Sequence, residues 1–143
     1  MRLVLDTNVV VAAMLSQRGA SAEVIRLGVR GRVTLIGTLP LALEYLEVCT
    51  RPDVRAGSSV SEAEAVKFAD EVAALLTPVE VRFRWRPAGP DPDDDHVIEA
   101  ALNGAADAIV TFNSRDFAEA SRRFNLPVLA PADIIRGLES SDG

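Results

Sequence analysis

Four carboxylates fall within five positions at Asp91-Pro92-Asp93-Asp94-Asp95, just ahead of His96 and an apolar run of helical spacing. The cluster follows a loop containing Pro and Gly, so it concentrates negative charge where a helix should begin. Helix N-termini favour negative charge, yet crowded carboxylates repel one another until a proton or a cation relieves them. Asp6, Glu44, Asn113 and Asp116 are distant in sequence and can reach the same place. An oxygen-only set of this kind suits Mg²⁺ or Mn²⁺. Lys67 is the only Lys and His96 the only His, so few side chains titrate near neutral pH. Chemistry here must lean on carboxylates and metal. Thr7 and Thr111 offer hydroxyls to a ligand or to the carboxylates. Arg82, Arg84, Arg86 and Arg115 are candidates for contacts to backbone phosphates.

The elements that must position these residues can be read in order. Arg2-Leu3-Val4-Leu5 is short, apolar and β-prone, and it ends at Asp6-Thr7-Asn8. That pattern reads as a buried parallel strand running into its carboxyl-end loop. Asn8 can cap a helix over 9–16. A second helix is predicted over 20–29, a second strand over 33–36, and a third helix over 39–48 with Leu39, Leu43 and Leu46 as one apolar face. Arg51-Pro52-Asp53 breaks the pattern, and 56–60 reads as a mobile loop. Ser61-Glu62-Ala63-Glu64 is a capping-box sequence opening a helix to about residue 76. Val79-Glu80-Val81 reads as a strand, extended by the alternating Arg82, Arg84 and Arg86. Residues 87–92 are loop, and Asp94 or Asp95 starts a helix through Leu102. Strands at 108–111 and 127–129 follow, with a helix from Ser114 to about Phe124 between them. A last helix covers 131–138, and 139–143 is a frayed polar tail.

Strands alternating with helices argue for an α/β/α layer fold with a mostly parallel sheet, in one domain spanning 1–143. The N-terminus of each crossover helix then lies at the carboxyl edge of the sheet, where open α/β sheets bind ligands. Asp6, Glu44, Asp95, Asn113 and Asp116 are all predicted on that edge.

Composition narrows the function. The chain has 143 residues, 48% of them hydrophobic, enough for a real core. No apolar run is long enough to span a bilayer. No leader is expected before the first strand, and Cys49 stands alone, so a cytoplasmic protein without disulfides is expected. Fifteen basic against 21 acidic residues give a formal charge of −6. That argues against broad electrostatic attraction to nucleic acid, though not against local contact with RNA.

At this point the chain resembles a known family. Leu5-Asp6-Thr7-Asn8-Val9, Glu44, Asp95 with Ala100-Ala101 behind it, and Ala106-Asp107 before Ile109-Val110-Thr111-Phe112-Asn113-Ser114-Arg115-Asp116-Phe117 look like the PIN-domain family. The likeness extends over essentially the whole chain and is nearest to toxin components of bacterial toxin–antitoxin modules. It implies five parallel strands in the order 3-2-1-4-5, with the switch point between strands one and four. It implies a Mg²⁺- or Mn²⁺-dependent ribonuclease, a homodimer and an inhibiting antitoxin. Metal ligands map onto Asp6 and Asp95, with Glu44 and Asp116 completing the acidic catalytic site. Many members carry Asp where this chain has Asn113, which can bind metal or orient water but adds no charge. Periodicity does not choose between Asp94 and Asp95; the family spacing to Ala100 selects Asp95.

Each residue also has an ordinary structural explanation. Asp6 could cap a turn, the Asp91–Asp95 run could be a solvated helix start, Glu44 a surface residue, and Asn113-Ser114 a helix cap. Independent explanations of that kind would not direct all of them to one sheet edge. A phospho-receiver would need a Lys after its last strand, and an aspartyl phosphatase an Asp where Asn8 stands. No Gly-rich nucleotide loop and no zinc spacing are present. The remaining rival is a PIN-like module that binds RNA or a protein partner without cutting.

Overall fold

A computed structural model describes residues 1–84 and 94–142. The expected loop over 87–92, Asp91, Asp93, Trp85 and Arg86 lie outside these residues. Five strands form one sheet in the order β3-β2-β1-β4-β5. They are β1 (Arg2–Leu5), β2 (Thr34–Gly37), β3 (Thr77–Pro78), β4 (Ala108–Val110) and β5 (Val128–Leu129). Every pairing is parallel, and helices complete a three-layer α/β/α fold. The order matches the one implied by the family resemblance.

β1 is central because three successive apolar residues, Leu3, Val4 and Leu5, are buried on both faces of the sheet. It pairs with β2 through Leu3 and Leu35, and with β4 through Leu5 and Val110. At its amino end, Arg2 N–H donates to Asp107 Oδ2 (2.6 Å) and the Arg2 guanidinium donates to Gly104 O (2.8 and 3.0 Å). These bonds tie the strand to the end of the helix before β4.

The helices are α1 (Thr7–Leu15), α2 (Ala20–Val29), α3 (Leu39–Cys49), α4 (Pro52–Arg55), α5 (Glu62–Leu75), α6 (Asp94–Asn103), α7 (Ala118–Phe124) and α8 (Pro131–Asp142). A 3-10 turn over Ser114–Phe117 precedes α7. The capping box of α5 forms as expected: Ser61 Oγ accepts from Glu64 N–H, and Glu64 Oε1 accepts from Ser61 N–H, both at 3.1 Å.

Several expectations are corrected. α1 begins at Thr7, with Asp6 rather than Asn8 at its N-cap, because the Asp6 carbonyl already accepts from Val9 N–H at 3.0 Å. Leu39 and Leu43 face solvent, 71% and 56% exposed. α3 is apolar nearly all round, and the face it buries carries Leu41, Glu44, Tyr45 and Cys49. The chain break at Pro52 is the short helix α4, with Pro in its first turn. β3 is Thr77–Pro78 rather than 79–81. Beyond it Asn103 takes over: its Oδ1 accepts from Arg82 and Phe83 N–H, each at 2.8 Å, so that segment is fastened to α6 instead of extending the ladder. The expected tail is helical to Asp142.

Gly104 shows how closely α6 approaches the sheet. A Cβ there would lie 2.5 Å from Ile36 Cδ1, 2.8 Å from Val79 Cγ2 and 2.9 Å from Ala100 O, while its carbonyl is held by Arg2. We predict that Gly104→Ala destabilises the fold by about 1–3 kcal/mol, the usual cost of overpacking. A urea titration checks this; an unchanged midpoint would refute the close approach.

Candidate active site

The carboxyl edge of the sheet opens into a cavity of about 370 Å³. Asp6, Glu44, Asp94 and Asp116 line it together with Thr7, Asn8 and Asn113. Val11, Val48, Arg51 and Val54 supply the rest of the wall. Four segments contribute the acids: the end of β1, the middle of α3, the first residue of α6, and the 3-10 turn after β4. The cavity adjoins the boundary between β1 and β4, where strand order reverses and where open α/β sheets bind ligands.

Asp6 is fixed from three directions. Its N–H donates to Val110 O at 2.9 Å, carrying the β1–β4 ladder one step past the strand. Its backbone then turns directly into α1. Thr111 Oγ1–H donates to Asp6 Oδ2 at 2.7 Å. The same Thr111 oxygen accepts from Asn113 N–H at 3.0 Å, so one buried hydroxyl sets both the Asp6 carboxylate and the turn that presents Asn113 and Asp116. On the other wall, Thr7 Oγ1–H donates to Glu44 Oε2. Beside Glu44, the Tyr45 hydroxyl donates to Leu5 O and pins α3 under the end of β1. Glu44 is therefore a buried residue, 9% exposed, and not a solvated helix side chain.

Burial raises the Asp6 carboxyl above its ordinary range. The nearby Asp116 charge adds to this, while the bond from Thr111 and the neighbouring backbone N–H groups of Thr7 and Asn8 oppose it. Tyr45 titrates well above the ordinary phenol range, first because it is buried and then because Asp6 and Glu44 lie near. An acid held partly against its own ionisation is one that a bound cation would relieve. All the donors are oxygens, which fits a hard divalent cation. Among the described residues, no three acidic, His or Cys side chains converge closely enough to enclose an ion by themselves.

Most of the residues expected from the sequence meet here: Asp6, Thr7, Glu44, Asn113 and Asp116 line the cavity, and Thr111 braces Asp6. Asp95 differs. It is buried as the second residue of α6 and does not line the cavity, whereas Asp94 does. Successive helix residues are turned about 100° apart, and of this buried pair Asp94 is the one in the cavity wall. Arg115 is exposed and lines an adjoining cavity with Asn113 and Asp116. Arg82 and Arg84 are absent from the cavity wall, and Arg82 pairs with Glu80 at 3.0 Å. The sequence reading missed Asn8 and Arg51 as wall residues. For Arg51 no helical period could have shown it, because α3 ends at Cys49 and Arg51 stands at the N-cap of α4.

Residues 2–115 match the family model of the PIN domain, and the chain belongs to that family. PIN domains are generally nucleases and usually bind a divalent metal. No curated protein and no solved structure matches the chain.

The raised Asp6 carboxyl has a consequence for stability. Because its pKa in the fold lies above the unfolded value near 3.8, the folded state binds this proton more tightly. Stability from that source is complete below 3.8 and is lost as pH rises through the folded value. In chelator-treated protein, Asp6→Asn is therefore predicted to be more stable than wild type at pH 7, the advantage vanishing towards pH 3–4. Parallel urea titrations across pH measure it. An Asn variant less stable at pH 7, or a gain that grows on acidification, would contradict the stated electrostatics.

Proposed function

We propose that this PIN domain hydrolyses phosphodiester bonds in RNA with the help of Mg²⁺ or Mn²⁺. The observation that carries the proposal is the convergence of Asp6, Glu44, Asp94 and Asp116, from four separate segments, on one cavity at the switch point of the sheet. Asp6 and the acid at the start of α6 would hold the cation. When bound, such a cation lowers the pKa of water and neutralises phosphate charge. Glu44, oriented by Thr7, and Asp116, presented by the 3-10 turn, position the attacking water. Thr111 keeps the Asp6 carboxylate aimed into the cavity. Asn113 and Arg115 contact the substrate beside the scissile bond. In-line attack would leave a 5′-phosphate and a 3′-hydroxyl.

The chain would act as one domain, as the toxin of a toxin–antitoxin pair, dimeric and cytoplasmic, and silenced by a cognate antitoxin protein. The serial motifs from Asp6 to Asp116 support it, and no helix among the described residues is long and apolar enough to cross a membrane. A second reading is a PIN module that binds RNA or protein without cutting. It is favoured by Asn113, which lines the acidic cavity without bringing it a charge.

The test is cleavage of end-labelled RNA in Mn²⁺, with Mn²⁺ binding measured by calorimetry on the same samples. Asp6→Asn and Asp94→Asn are expected to lose cleavage on the order of 100-fold or more, as for removal of a principal electrostatic group, and to lose saturable Mn²⁺ binding. Asp95→Asn should lose less than Asp94→Asn, within the roughly 10- to 100-fold typical of a residue that supports a ligand. Cleavage unchanged by Asp6→Asn would sink the nuclease proposal. A larger loss in Asp95→Asn than in Asp94→Asn would move the ligand one residue along α6.

A further inference from the structure

Phe112 is a large aromatic side chain left 53% exposed on a backbone that is otherwise tied down. Thr111, before it, is buried, donates to Asp6 and has its N–H on Leu129 O at 2.9 Å. Asn113, after it, is bonded to Thr111 Oγ1, and Asp116 N–H returns to Asn113 O at 3.1 Å. The ring is thus held outward, two residues past the end of the β4 pairing, beside the carboxylates.

It borders a cavity of about 450 Å³ shared with Asn113, Ser114, Arg115 and Asp116. Asn113 and Asp116 also line the acidic cavity, so the two adjoin. On the far side, Ser114 and Arg115 open onto a third cavity of about 380 Å³ that contains Arg122 and no acid. Neither Arg115 nor Arg122 forms an ion pair with any described residue. The three cavities follow one another as carboxylates, then an aromatic ring between Asp116 and Arg115, then Arg115 and Arg122 without an acid.

We infer that this sequence is a single-strand track. Phe112 stacks the base of the nucleotide next to the scissile phosphate, and Arg115 and Arg122 take the phosphates that follow. Stacking platforms interleaved with cations are how proteins hold single strands without reading their sequence. A duplex could not offer an unstacked base face to the ring. The track also gives a chain of net charge −6 a local positive surface for a polyanion. The inference rests on the nuclease proposal only for which nucleotide sits at Phe112. Phe112 acts on binding and positioning, not on the bond broken.

The experiment is fluorescence anisotropy with a labelled mixed-sequence RNA of about eight nucleotides, and with an abasic strand of equal length. It uses wild type in chelator and the Asp6→Asn protein. Phe112→Ala and Phe112→Leu should each weaken RNA binding roughly 5- to 100-fold, while Phe112→Tyr restores it, all with unchanged thermal midpoints. Abasic binding should not respond to any of the three. Arg122→Ala should weaken both strands and lower the salt slope by about one. Leu binding as well as Phe would overturn the proposal, since an apolar contact such as a protein interface would explain it. So would Ala binding as well as Phe, or no RNA binding by wild type. Should cleavage prove independent of Asp6 while the aromatic dependence holds, the nuclease reading fails and the track stands.

Discussion

The bond from Thr111 to Asp6 is the constraint on which the carboxyl edge depends. β1 and β4 are adjacent because three rows of apolar residues pair in parallel, but that pairing alone leaves their ends free to diverge. Asp6 N–H on Val110 O extends the ladder by one step, and the hydroxyl of Thr111 then joins the side chains just beyond it. A buried hydroxyl that both donates and accepts has little freedom left. Removing it would free the Asp6 carboxylate and the Asn113 turn together. The site is in this sense an extension of the sheet, and its precision comes from the strands and not from loops.

The cost of the arrangement is electrostatic. Four acids share one cavity, and Asp6 is both buried and close to Asp116. Backbone N–H groups of Thr7 and Asn8, in the first turn of α1, offset part of that cost for Asp6. Thr7 and Thr111 offset more by donating to Glu44 and Asp6. What they leave uncompensated is the negative potential that would attract a divalent cation. Conflict between local stability and site chemistry of this kind is expected where a protein does work.

Much of the fold was legible because its signals were local. Leu3-Val4-Leu5 ending at Asp6 could only be a buried strand, and the Ser61/Glu64 pair wrote its own cap. Where two signals competed, the sequence was ambiguous. Leu39, Leu43 and Leu46 looked like the inner face of α3, yet the helix turns Leu41, Glu44 and Tyr45 inward. Its orientation is chosen by polar partners, Thr7 and Leu5 O, that lie about forty positions away in sequence, and no local period encodes them. Alternation at Arg82 and Arg84 looked like a strand, but Asn103 captures that backbone first. The same limit applies to Asp94 and Asp95: the rotation of α6 about its axis is fixed by Ile98, Ala100 and Ala101 packing in the core, and spacing alone could not resolve a single step.

Net charge is a poor guide to what such a domain can hold. A value of −6 describes the far field, which salt screens beyond about 8–10 Å. Within that distance the balance is set by neighbours. The acids that dominate the cavity are those a cation would neutralise, and past Asp116 the lining changes to Ser114, Arg115 and Arg122. Between the two lies the cavity beside Phe112, which shares Asn113 and Asp116 with the acidic one and Ser114 and Arg115 with the other. Being neutral, Asn113 removes one carboxylate from the path between cation site and guanidiniums, which lowers the repulsion a phosphate would meet on crossing it. In the proposed roles, an acid substituted at Asn113 would favour a cation and disfavour a strand. The two properties cannot both be maximised at one position.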